Sequence, residues 1–124
     1  MKLLMKYVLA AAVFAAPLVA PAMAQAADGF VTCQAYQADK SRVLYTMAFA
    51  ANKADADALY ESFVKFLADS GYTKGMYSTE ASPVEGICNW ESSADAANKK
   101  TEGFKASYSA KGASTMGVSG FPES

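Results

Sequence analysis

Apolar positions along the chain change their spacing from segment to segment, and each change marks the start or end of an element. Tyr7 to Ala16 is an unbroken apolar block. Phe30 to Tyr36 alternates instead, with Val31, Cys33 and Ala35 on one side, and is rich in β-forming residues. Asp39-Lys40-Ser41 supplies turn chemistry before a second alternating run, Arg42 to Ala50. There Val43, Tyr45, Met47 and Phe49 share the face expected to line the core, with Leu44, Thr46 and Ala48 on the other.

From Asn52 the spacing becomes helical. Ala56, Leu59, Tyr60, Phe63, Phe66 and Leu67 recur at steps of three and four, opposite Asp57, Glu61, Lys65 and Asp69. Asn52 is the expected cap, with Asp55 reciprocating, and Gly71 is placed to end the helix in a left-handed residue. Tyr72 to Thr79 and Val84 to Glu91 read as strands around the turn Glu80-Ala81-Ser82-Pro83. Ser92 or Ser93 then caps a second helix whose apolar side is thinner: Ala94, Ala97, Thr101, Phe104 and Tyr108. Lys99, Lys100, Glu102 and Lys105 form its wet side. Ala113 to Phe121 is a last, glycine-interrupted strand of edge-like character.

The order is one extra strand followed by two β-α-β halves. It predicts an α+β domain with a ferredoxin-like β-α-β-β-α-β core and an extra N-terminal strand. Its two helices are expected together on one face of an antiparallel sheet. The opposite face is then free unless the extra strand, the tail or a partner covers it.

The apolar block belongs to an export signal. Lys2 and Lys6 precede it, Pro17 and Pro21 follow it, and Ala22-Met23-Ala24 has the small-x-small form of a cleavage site, with Ala24-Gln25-Ala26 as a second choice. The block is shorter than the roughly 20 residues that span hydrocarbon, so removal is expected rather than membrane anchoring. Residues 1–24 are therefore read as a signal peptide, 25–28 as a mobile lead and 29–124 as a single domain, periplasmic or secreted. Removing the leader takes away two lysines and leaves 9 basic residues against 12 acidic ones, a net charge of −3. Such a balance gives no electrostatic reason to bind nucleic acid.

Cys33 and Cys88 are the only cysteines, and in an oxidising compartment an even count reads as one structural disulfide. A redox role fits poorly, because the two lie 55 positions apart rather than in a Cys-x-x-Cys turn. Two thiols alone cannot build a tetrahedral zinc site, and the chain has no histidine, which removes Ser-His-Asp and Cys-His pairs and imidazole ligation.

Three carboxylates, Glu80, Glu85 and Glu91, cluster along one turn and strand. A glycosidase would need two of them about 5–9.5 Å apart, one holding a proton near neutrality; a solvated acidic face is the simpler reading. Asp55 and Asp57 have a helix-start explanation and lack the Asp-x-Asp-x-Asp-Gly loop of a calcium site. No catalytic residue, metal ligand or cofactor is therefore predicted. Flat rings suit sugars. Among Trp90, Tyr36, Tyr45, Tyr72 and Tyr77, the candidates kept for a binding platform are Tyr36, Tyr77 and Trp90, with burial in the core as the competing role for Trp90 and Tyr45.

From Val43 to Phe121 the element order and length resemble the SPOR domain, a β-α-β-β-α-β module of bacterial envelopes. Cys88-Asn89-Trp90-Glu91-Ser92-Ser93-Ala94-Asp95-Ala96-Ala97 is similar to that family's strand, tight turn and Ser-x-x-x-Ala helix opening, with Asn89-Trp90-Glu91 where the family commonly has Gly-Pro-Phe. The resemblance implies binding of peptidoglycan glycan stripped of its stem peptides, on the helix-free sheet face. The sequence is thus read as a small exported binding module, not an enzyme, that recognises envelope glycan. A periplasmic protein-binding or inhibitory module is the alternative, and a small hydrolase the third reading.

Overall fold

The computed structural model describes residues 26–74 and 81–122. The expected signal peptide, Tyr77, Glu80 and most of the strand expected over Tyr72–Thr79 lie outside them. Strand β1, Gly29–Gln37, is the organising element. It pairs antiparallel with β2 (Arg42–Tyr45) and β3 (Phe49–Ala51) on one side and with β4 (Val84–Glu91) on the other. Strand β5, Ser114–Gly117, extends the sheet beyond β2 and runs parallel to it. The fold is α+β, with a mixed five-stranded sheet and two helices, α1 (Ala56–Asp69) and α2 (Ala94–Ser109). Parallel pairing of β5 with β2 corrects the expectation of a wholly antiparallel sheet.

The second correction concerns the helices. Antiparallel pairing on both sides of β1 makes β2 and β4 parallel to each other. The connection through α1 therefore steps over β1 in one direction, and the connection through α2 steps back over it to β5. Crossovers of one hand that travel in opposite directions lie on opposite faces of a sheet. Side-chain alternation along β1 agrees. Val31, Cys33 and Ala35 pack with Phe63 and Leu67 of α1, together with Leu44, Cys88 and Val118. Their neighbours Thr32 and Gln34 face α2, where Thr32 Oγ1 donates to the Ala97 carbonyl at 3.1 Å and Thr101 Oγ1 donates to Gln34 Oε1 at 3.0 Å. One sheet face was expected to be free of helices. Instead, α2 buries that face and answers its polar groups with its own.

A bulge divides β2 from β3. Gln34 pairs with Tyr45 but Val31 pairs with Phe49, so the outer strand carries one extra residue. Thr46 fills the gap: its Oγ1 accepts from the Cys33 N–H at 3.1 Å and its own N–H donates to the Cys33 carbonyl at 2.9 Å. The extra residue reverses the alternation. Val43 and Tyr45 face α2, Leu44 and Phe49 face α1, and Met47, expected in the core, is 67% exposed.

The bulge also explains the covalent link. Both backbone groups of Cys33 are used on the β2 side, which makes Cys33 and Cys88, directly opposite on β4, a non-hydrogen-bonded pair. Such pairs bring side chains closest, and these two form a disulfide.

At the other end of β1, Asp28 is hydrogen-bonded through both its backbone and its side chain. Its N–H donates to Asn52 Oδ1 at 2.9 Å, and its Oδ1 accepts from the Lys53 N–H at 2.9 Å. Asn52 is thus engaged with Asp28 and does not cap the helix. Ser93 does cap α2, its Oγ accepting from the Ala96 N–H at 3.1 Å. Gly71, at φ +85°, closes the chain reversal after α1 as expected.

Candidate functional site

Helix α2 runs along β1 so that Ala97 meets Thr32, Thr101 meets Gln34, and Tyr108 reaches Tyr36. At this last rung the two tyrosine rings stack, centroids 4.2 Å apart and planes 17° from parallel. Phe104 tilts against Tyr108 at 5.0 Å, and Lys111 Nζ lies 5.4 Å from the Tyr108 ring centre. Both tyrosines remain half-buried. Beside Tyr36 a cleft of about 190 Å³ is lined by Tyr36, Ala38, Pro83, Val84 and Glu85. Register accounts for it: Glu85 is directly opposite Tyr36, and β1 ends at Gln37 in a 3-10 turn, Ala38–Lys40. An aromatic face, an aliphatic wall and a carboxylate therefore converge on one small hollow.

Near the cleft, Tyr60 of α1 has its phenol pKa raised. Burial is the main cause, the Glu85 carboxylate adds to it, and a hydrogen bond with the Gly86 backbone opposes both.

The three residues expected to form a platform are not assembled as one. Tyr77 lies outside the described residues. Trp90 is opposite Val31, five positions along β1 from Tyr36 and on the other face of the sheet. At about 3.4 Å per residue, that alone separates them by about 17 Å. Trp90 Nε1 donates to Asp28 Oδ1 at 2.9 Å and to the Ala51 carbonyl at 3.2 Å, and its ring packs against the apolar core. Of the other tyrosines weighed, Tyr72 packs beside Phe66. Tyr45 lies beneath Lys105, whose Nζ is 3.9 Å from the ring centre. Burial works against the Lys105 charge, but its contacts with Glu102 and Tyr45 outweigh it and raise the pKa.

Among the described residues the carboxylates do not form a glycosidase pair. Glu85 and Glu91 are six positions apart on β4, about 20 Å, well beyond the reach of two-carboxylate chemistry. Glu91 is 3.9 Å from Lys100. Glu80 lies outside the described residues. No group of three or more metal-ligating side chains occurs among the described residues. Nor is any described helix long and apolar enough to cross a membrane.

Two features escaped the sequence reading. The bare sheet face implied by the SPOR resemblance is absent at β1, since α1 and α2 cover its two faces. A larger open groove of about 380 Å³ lies on the outer side of α1, lined by Ser62, Lys65, Phe66, Asp69, Phe121 and Pro122. Phe121 forms its floor by packing against Phe49, Phe63 and Phe66. Nothing in the local pattern of the C-terminal residues signalled that return. Tyr108, by contrast, was visible as the last position of the α2 stripe. Compared with known proteins, the chain matches no family model, no curated protein and no solved structure.

Proposed function

We propose that the chain is an exported binding module of the bacterial envelope that takes a sugar-sized group of peptidoglycan glycan in the Tyr36 cleft. Export rests on the leader pattern of residues 1–24 and removal after Ala24, into the periplasm or the medium. The Cys33–Cys88 disulfide is compatible with such an oxidising compartment.

The observation that carries the ligand reading is the cleft itself. At about 190 Å³ it is below the roughly 300–1,000 Å³ of sites that enclose drug-sized ligands, so it suits one ring or one side chain of a longer polymer. Tyr36 offers an apolar face with a polar tip, and Glu85 an acceptor for hydroxyls.

Co-sedimentation with purified glycan strands tests the reading. Wild-type protein should pellet with the strands, and Tyr36→Ala and Glu85→Gln should each weaken retention at least several-fold while leaving the melting curve cooperative. Equal retention of all three proteins would contradict it. A protein partner is the second reading, favoured by β5: all four of its residues are exposed, and it pairs only with β2 among the described residues. A photo-crosslinker at Thr115 would then capture one specific envelope protein.

A further inference from the structure

Arg42, at the start of β2, uses all three of its guanidinium nitrogens as donors. Its Nε donates to Gln37 Oε1 at 2.9 Å and its Nη2 to the Tyr72 carbonyl at 2.7 Å. Its third donor, Nη1, is aimed at Met116 Sδ at 3.6 Å. A thioether is a weak acceptor, so one donor of a fixed cation faces a partner that uses little of it. Met116 is 40% exposed and belongs to β5, the edge strand, whose Ser114 and Val118 flank hold the Ser41 and Tyr45 carbonyls through their N–H groups.

We propose that Met116 is an oxidative modification site at which conversion to the sulfoxide fastens β5 to Arg42. The co-reactant is a hydroperoxide. The sulfur lone pair attacks the terminal peroxide oxygen, an S–O bond forms and the O–O bond breaks. Sulfur loses two electrons to the peroxide, and the proton of the transferred oxygen moves to the departing one, which leaves as water or alcohol. The new S=O is a strong acceptor placed before a donor that is already oriented. Gln37 and the Tyr72 carbonyl hold the guanidinium still, while the unbranched, exposed methionine can recoil to accommodate the oxygen. Oxidised methionines usually disrupt the packing they belong to. Here the sulfur is at the surface beside a tethered cation, which reverses the sign. The inference is independent of the glycan reading.

Dilute hydrogen peroxide applied to the disulfide-bonded protein, followed by peptide mass analysis, should place one oxygen on Met116. With Met47→Leu and Met76→Leu introduced to silence the other thioethers of the mature chain, exchange of the Ser114 and Val118 amide hydrogens should slow by about three- to tenfold after oxidation, as a charge-assisted bond at an exposed site allows. Methionine sulfoxide reductase should restore the original rates, and Arg42→Gln should show no slowing. The proposal is overturned if peroxide converts Met47 but spares Met116. It is equally overturned if oxidation leaves exchange unchanged or faster, or if Arg42→Gln slows as the wild type does.

Discussion

Removing the disulfide is the perturbation whose size can be worked out most directly. Cys33 and Cys88 are 0% and 4% exposed, so serine would bury hydroxyl groups and mix two effects. A Cys33→Ala, Cys88→Ala protein isolates the cross-link more cleanly. The bridge spans 55 residues of sequence, and closing a loop of that length restricts the unfolded chain by roughly 4 kcal/mol. Whole domains are stable by about 5–15 kcal/mol, so the loss is a large share of the total. For a domain near 100 residues, each kcal/mol moves the melting temperature by about 4–8 °C, giving a fall of roughly 15–30 °C. Far-UV circular dichroism melts of the oxidised and alanine proteins measure it. A fall of less than about 5 °C would mean that the β1–β4 pairing and the apolar layer beneath α1 hold without the bridge, and the chain-entropy reasoning would fail here.

Other expectations follow from the two unlike faces of the sheet. Phe63→Ala, which empties the layer under α1, should cost about 3–5 kcal/mol in urea unfolding. Gln34→Met combined with Thr101→Val should be neutral or stabilising, because Gln34 Nε2 is buried without a hydrogen-bond partner; a loss above about 2 kcal/mol would show that the polar layer is a net contributor. At Gly86 a Cβ would strike the Gln34 carbonyl and the Ala35 Cα, both backbone atoms of β1 that cannot step aside. Gly86→Ala should therefore cost at least about 3 kcal/mol, and a variant as stable as the wild type would refute that close approach. Tyr60 and Lys105 both bind their protons more tightly in the folded state than in the unfolded one. Their contribution to stability is fully present below about pH 10 and is lost as pH rises through the raised folded values. Melting temperature should thus decline above about pH 10, and less steeply in Tyr60→Phe; identical slopes would contradict the Tyr60 contribution.

Much of the fold was legible because local pattern and tertiary role agreed. The α1 stripe faces the core as its spacing predicts, with Phe63 and Leu67 buried and Leu59, Tyr60 and Phe66 packed against it, β4 runs from Val84 to Glu91 as read, and Ser93 is one of the two caps named for α2. Legibility failed where a single residue or a direction decided the outcome. One inserted position at Thr46–Ala48 turned Met47 outward and moved Phe49 to the opposite face from Val43, which no period-two reading detects. That α2 would cover the face carrying Thr32 and Gln34 was not legible, because side-chain polarity does not reveal that Thr101 and the Ala97 carbonyl will meet them. The direction of β4 relative to β2 fixed which side α2 would cover, and direction is a property of the whole topology. The same limits apply at the site. Tyr36 and Trp90 are both aromatic strand residues in sequence, and only the register shows them on opposite faces, one beside a cleft and one hydrogen-bonded to Asp28.

Compartment, cross-link and envelope ligand stand together, and intact mass spectrometry of the protein isolated from its own cells interrogates all three at their root. The expected species begins at Gln25 or Ala27 and is two hydrogens lighter than the reduced chain. A full-length species that retains Met1 and carries two free thiols would contradict export and the staple in one spectrum, and with them the proposed envelope ligand.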